Sequence, residues 1–220
     1  MNPKQDRPYS KLVTALIAAW FAVSLSASAL GVFRTSSSAS VYSPLPLGLA
    51  VLAPIVLFTL WWSSSAGFRQ FALSLNPRTL TVVQAWRIGG FVFLILHAHH
   101  ILPGVFALPA GWGDIAVGAT APLISIYLAN AAHRKSFVAW QVLGMLDLAL
   151  AVTLGVLASP TPIGILADGL TTDAMSVLPL SLIPTFAVPL LAIFHIICIA
   201  QAARWPEEQT LHVRHQAQKV

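Results

Sequence analysis

Residues 182–203 read LIPTFAVPLLAIFHIICIAQAA, a stretch of 22 residues that contains no charged side chain. A helix needs about 20 apolar residues to cross a bilayer core of about 30 Å. The stretch therefore predicts a membrane-spanning helix, and the rest of the chain has the same character. Hydrophobic residues make up 57% of the 220 positions and charged residues 9%, against about 45–50% and about 25% in soluble domains. This composition excludes a soluble enzyme and a nucleic-acid-binding domain.

Six segments are long and apolar enough to span a bilayer, which predicts an all-α bundle of six transmembrane helices. The predicted spans are residues 12–33, 45–62, 87–106, 115–132, 137–158 and 182–203. They form one transmembrane domain over residues 12–205, which we expect to interact with the lipid bilayer. Residues 1–11 precede this domain and the polar residues 206–220 follow it.

The basic residues predict the orientation of the bundle. Of the 12 Lys and Arg residues, all except Arg34 fall at the two termini or after the second and fourth predicted spans. Cytoplasmic loops of membrane proteins are enriched in Lys and Arg, so both termini are expected in the cytoplasm. Arg87 is expected to anchor its helix at the inner headgroups, which its long side chain can reach.

The N-terminus leaves two alternatives open. Basic residues, an apolar stretch and the sequence Ala-Ser-Ala at residues 27–29 are also features of a cleaved signal peptide. The apolar run continues through Phe33, however, which is longer than a normal signal-peptide core and favours an uncleaved first span. Cleavage would leave five spans and the same orientation for the remainder.

Tryptophan prefers the membrane interface, so tryptophans at predicted span ends indicate the depth of other residues. At about 1.5 Å of rise per residue, His97 lies about 16 Å, His195 about 15 Å and Asp147 about 10 Å from the inner plane. The two histidines are thus predicted to lie level near the bilayer centre. The tryptophans that define the inner plane are Trp62, Trp86, Trp140 and Trp205.

Asp147, His97 and His195 are the candidate residues for binding a proton, a cation or a small solute. Ionisable residues inside a membrane are costly and commonly functional. Asp147 lies on a stripe of small residues, so the alternative is a hydrogen bond that joins two packed helices. Two level histidines on facing helices could also be the axial ligands of a haem b iron.

Two further polar features have their own interpretation. His97, His99 and His100 form a short histidine-rich tract, which is a compositional hint of a divalent metal site. Asp114 stands at the start of the predicted fourth span, where an aspartate caps free backbone amides and favours the helix dipole. We therefore expect Asp114 to be an N-cap.

Residues 106–114, FALPAGWGD, and residues 118–122, GATAP, carry a family resemblance. Together they resemble a segment of uncharacterised bacterial inner-membrane proteins of similar length. The resemblance covers about a fifth of the chain. It implies a protein of the bacterial cytoplasmic membrane, and it implies no activity and no catalytic residue.

Three functions remain compatible with the sequence. The first is transport of a small solute, a cation or a proton through a site built from Asp147, His97 and His195. The second is a membrane redox protein that binds haem b or a metal, and the third is a non-catalytic assembly or regulatory subunit. No nucleophile with a matching base is visible and the H-E-x-x-H zinc signature is absent, so we do not expect an enzyme.

Overall fold

The computed structural model describes residues 3–34 and 45–205, and most of this part of the chain is helical. Its β-structure is limited to a single isolated bridge between Asp168 and Leu170. The prediction of an all-α fold is therefore confirmed. The predicted tail at residues 206–220 lies outside the described residues.

The described residues contain eight α-helices, some of which are joined by shorter 3-10 or π segments. They are α1 (Pro3–Ala29), α2 (Leu45–Ser64), α3 (Ala66–Ser74), α4 (Pro77–Val83), α5 (Phe91–Ala98), α6 (Gly104–Tyr127), α7 (Arg134–Leu157) and α8 (Val188–Ala202). A 3-10 segment, Gln84–Gly90, joins α4 to α5, and a π-helical segment, Ile183–Ala187, leads into α8. Two short 3-10 turns, Ala131–His133 and Thr172–Ser176, complete the described elements.

Five helices of the described chain are long and apolar enough to cross a membrane. They are Tyr9–Ala29, Leu45–Ser64, Pro77–Ala98, Ala131–Leu157 and Ile183–Ala202. The helix α6 is not among them, because its glycines, its prolines and Asp114 lower its apolar content. We call Pro77–Ala98 the central run and Ile183–Ala202 the last run.

The central run begins ten residues before the predicted span at 87–106. The cause lies in local sequence: the side chain of Asn76 caps the backbone N–H of Arg78, and Pro77 takes the first helical position, which suits its missing N–H. The run ends at Ala98, and the chain turns at His100, whose φ is 56°. Consequently α6 begins eleven residues before the predicted fourth span at 115–132.

The central run packs mainly against α6, and the last run packs mainly against α7 and α2. A core of aromatic and aliphatic side chains closes the end where α3 and the end of α8 meet, with Phe137 and Cys198 fully buried. A second core around Leu102 and Phe106 closes the opposite end. Between these two apolar cores lies a polar cluster.

Candidate functional site

One arginine forms the centre of the polar cluster. Arg87 is 4% exposed, and its guanidinium reaches three other helices. Its Nε donates to Oδ1 of Asp114 on α6 at 2.7 Å, and its Nη2 donates to Oδ2 of Asp147 on α7. Its Nη1 donates to the carbonyl of Gly144 at 3.0 Å and lies 3.5 Å from Nε2 of His195 on α8.

The 3-10 segment explains why Arg87 points inward. In a 3-10 helix, side chains three residues apart lie over one another, so Gln84, Arg87 and Gly90 form one stripe, and all three are buried. The adjacent glycines Gly89 and Gly90 disfavour a regular α-helix at this point. Gln84 donates to the carbonyl of Leu191 at 3.1 Å, which ties the same stripe to α8.

Glycines let the polar side chains approach the neighbouring backbones. At three positions an added Cβ atom would collide with a polar side chain of the cluster. The pairs are Gly90 with Asp114, Gly113 with Asp147, and Gly144 with His195. The close approach of the helices and the placement of the charged groups thus depend on the same small residues.

His195 continues the cluster into a chain of buried hydrogen bonds. Its Nδ1 lies 2.5 Å from Oε1 of Gln141, and Nε2 of Gln141 donates to Oγ1 of Thr81 at 3.1 Å. An amide oxygen only accepts, so Nδ1 of the imidazole donates, and Nε2 of a neutral ring presents its lone pair towards Arg87. His195, Gln141 and Thr81 are each 0% exposed.

The cluster lies at half the height of the helices that carry it. Arg87 is ten residues after the start of the central run and eleven before its end. Asp114 is ten residues into α6, and Asp147 is ten residues before the end of α7. An ionic group at this level of a membrane protein is far from both aqueous phases, where its charge must be balanced locally.

The charges of the cluster are not balanced when both carboxylates are ionised. One guanidinium then faces two carboxylates and a neutral imidazole, which gives a net charge of −1. The Arg87 side chain is 1% exposed, whereas the Asp114 and Asp147 side chains are each 15% exposed. A single proton or monovalent cation would neutralise the cluster, and the carboxylates are the groups that it can approach.

The structure brings two of the three candidate residues together. Asp147 and His195 both contact Arg87, whereas His97 does not belong to the cluster. His97 is the penultimate residue of α5, its Nδ1 lies 3.2 Å from the carbonyl of Leu102, and its ring lies against Gly104. It follows Arg87 by ten residues, which is about 15 Å along a helix.

The prediction of two level histidines that share a haem iron or a solute is therefore corrected. The prediction was wrong because it used Trp86 to mark the inner end of a span. Trp86 is 83% exposed, but it stands in the middle of the central run. Depths counted from Trp86 placed His97 level with His195, whereas His97 lies next to the end of the central run. His97 and His195 occupy different levels and have different hydrogen-bond partners.

The proposed metal tract is also corrected for the described part of the chain. His99 and His100 follow the end of α5 and are exposed, while His97 turns inward to Leu102. Within residues 3–34 and 45–205, no group of three or more His, Cys, Asp or Glu side chains is placed to hold a metal ion. A helix end separates the three imidazoles, so adjacency in sequence does not make them one ligand set.

Sequence reasoning missed the roles of Arg87 and Asp114. Arg87 is buried and ion-paired instead of anchoring the inner interface, and Asp114 lies inside α6 instead of capping its N-terminus. The signal that would have found both is the pair Asn76-Pro77, which marks a helix start. A central run that begins at Pro77 places Arg87 at its middle.

The fold and the cluster define an all-helical protein with several helices of membrane-spanning length and a buried ionic centre. Residues 44–203 match a family described as a domain of unknown function, DUF8737. This segment is well over half of the chain, and the chain therefore belongs to that family. Neither a curated protein nor a solved structure matches the chain.

Proposed function

We propose that this protein is a membrane transporter for a small solute or cation, coupled to a proton that binds the Arg87–Asp114–Asp147 cluster. The observation that carries the proposal is one buried guanidinium shared by two carboxylates from two different helices. Buried ionic groups that are not balanced in charge favour the uptake of a neutralising ion. Intramembrane ionisable residues commonly mark such ion and proton pathways.

Protonation would act on the contact between helices. A proton on Asp147 removes the negative charge that attracts Nη2 of Arg87, and the contact between α7 and the central run weakens. The central run and the last run contain the 3-10 and the π segment, respectively. Such interruptions accompany movable helices in transporters, so we place the inward-to-outward rearrangement in these two runs.

The proposal includes six spans, with both termini in the cytoplasm of a bacterium. The helix α6 has 24 residues, which is about 36 Å at the α-helical rise and longer than a bilayer core of about 30 Å. Its polar residue Asp114 is paired with Arg87, which lowers the cost of placing it in lipid. The family resemblance of residues 106–122 supports a bacterial cytoplasmic membrane.

A second candidate is a non-catalytic assembly or regulatory subunit. Each of the three guanidinium nitrogens of Arg87 has an acceptor within the chain. A fully satisfied network can simply join helices and specify one arrangement of the bundle. In that case the cluster would support stability and would bind no proton.

Proton flux into reconstituted vesicles tests the proposal. The vesicles contain a trapped pH-sensitive dye, and a potassium gradient with valinomycin makes their interior negative. We expect wild-type protein to acidify the interior faster than protein-free vesicles, and Asp114→Asn with Asp147→Asn to remove that difference. Asp168→Asn changes an exposed loop carboxylate and serves as the matched control.

The two candidate functions give different results in this assay. Flux that the double variant leaves unchanged would overturn proton coupling at the cluster. A wild-type chain without flux whose double variant loses thermal stability would support the assembly subunit. Size-exclusion profiles of every variant show whether a lost flux reflects a misfolded protein.

A further inference from the structure

The helix α1 contacts the bundle through two buried hydroxyl groups as well as through partly buried apolar and aromatic side chains. Among its side chains from residue 9 to 29, the buried ones are Ser24 and Ser28. Large apolar side chains of the same helix remain exposed, including Leu16 at 48% and Val23 at 66%. In a lipid environment, polar contacts between helices and close packing drive association, so the two serines mark the face of α1 that contacts the bundle.

That face meets one particular carbonyl of the last run. The indole N–H of Trp20 donates to the carbonyl of Thr185 at 3.1 Å, and the Ser24 hydroxyl donates to the same oxygen at 3.5 Å. One turn along α1, Ser28 accepts a hydrogen bond from Ser181 at 2.9 Å. Thr185 is 0% exposed and lies in the π-helical segment.

Proline removes the α-helical donor of this carbonyl. In an α-helix, the carbonyl of residue 185 would accept from the N–H of residue 189. Residue 189 is Pro189, which has no N–H. Trp20 and Ser24 thus offer donors from another helix to the carbonyl that Pro189 leaves without its α-helical partner.

We propose that α1 is a strap that holds the last run in its irregular form, with Trp20 and Ser24 replacing the donor that Pro189 lacks. The last run also carries His195, ten residues after Thr185, so the strap sets the position of the helix that closes the charge cluster. Release of the strap frees the π segment to rearrange. The strap lies outside the family-matched residues 44–203, whereas its target carbonyl lies inside them.

This inference does not depend on proton coupling, because it concerns only the hydrogen bonding of the last run. It does require that α1 stays attached to the mature protein. The intact mass of the purified protein measures this directly. A mass that corresponds to loss of the first 29 residues would overturn the strap.

A double-mutant cycle between Trp20 and Pro189 tests the strap. Trp20→Phe removes the indole N–H but keeps an aromatic ring beside Phe186, whose ring centroid is 4.8 Å from that of Trp20. Pro189→Ala supplies the missing N–H within the last run, and Pro189→Ser does the same if the alanine variant does not fold. Hydrogen–deuterium exchange of residues 183–195, measured in lipid nanodiscs, reports opening of this segment.

We expect Trp20→Phe to raise the exchange rate of this segment about threefold to tenfold in the wild-type background. In the Pro189→Ala background the same change should have little effect, because the carbonyl has a donor of its own. An equal effect in both backgrounds, or none in either, would overturn the proposal. Phe21→Leu removes another ring contact with Phe186, at 5.1 Å, and an effect as large as that of Trp20→Phe would show packing instead of hydrogen bonding.

Discussion

Arg87 and Asp147 are sixty residues apart in sequence, yet the Nη2 of the arginine donates to a carboxylate oxygen of the aspartate at the centre of the bundle. The same guanidinium binds Asp114 through its Nε. Three helices are therefore joined through one planar group whose donors point in fixed directions. A lysine, which has a single charged nitrogen, could not make these contacts simultaneously.

Replacing Arg87 should destabilise the bundle strongly. Arg87→Met leaves two carboxylates without their partner, and breaking a buried pair in this way costs about 3–5 kcal/mol. The unfolding free energy in detergent or lipid measures the loss. The triple variant with Asp114→Asn and Asp147→Asn should recover part of it, because no buried charge is left unpaired. Arg204→Met at an exposed position is the control, and an equal loss there would show that the buried ion pairs are not the cause.

Two adjacent glycines should respond differently to alanine. At Gly90 an added Cβ atom would collide with Asp114, whereas at Gly89 it would meet no atom within 4 Å. Gly90→Ala should therefore cost about 1–3 kcal/mol through overpacking. Gly89→Ala should be neutral or stabilising by about 0.5–1 kcal/mol, because alanine loses less backbone entropy. Thermal unfolding of the two variants side by side measures the difference, and equal values would speak against the tight helix contact.

The two histidines should have separable roles. His195 contacts Arg87 and Gln141 in the cluster, while His97 contacts the loop at Leu102. His195→Ala should lower proton flux in vesicles, and His97→Ala should leave it close to wild type. Expression with added haem provides a second readout, in which we expect no Soret band. If the wild-type protein shows a Soret band and either alanine variant abolishes it, then both histidines bind one haem and their roles are not separate.

The position of α6 across the membrane can be tested by cysteine labelling. The natural cysteine, Cys198, is buried, so added cysteines can be compared with the parent chain. Ile101→Cys and His133→Cys stand on either side of α6, and six spans place the first outside and the second inside the cell. A membrane-impermeant maleimide should label the first in intact cells and the second only after permeabilisation. Labelling of both in intact cells would show that α6 does not cross.

The apolar composition was sufficient to predict a helical bundle, and the search for intramembrane charges found Asp147 and His195. Their common partner, Arg87, was not found because charge alone does not show whether an arginine reaches the headgroups or an acid on another helix. That distinction depends on where the helix begins. Asn76 and Pro77 determine the start locally, whereas Trp86 suggested a start ten residues later.

The start of α6, which corresponds to the fourth predicted span, could not be predicted for a related reason. Asp114 follows a segment rich in glycine and proline, which in a soluble chain would end a helix. In the bundle, packing against the central run holds these residues in one helix of 24 residues. Tertiary contacts, such as that of Gly118 with the backbone at Ile88, override the local preference and are not visible in one sequence.

Infrared difference spectroscopy between acidic and alkaline conditions measures proton binding by the cluster most directly, because protonated and ionised carboxyl groups absorb at different frequencies. We expect a titrating carboxyl signal in the wild-type protein that is lost when Asp114→Asn and Asp147→Asn are combined and kept in Asp168→Asn. A wild-type spectrum that matches the double variant over the whole pH range would show that the cluster takes up no proton.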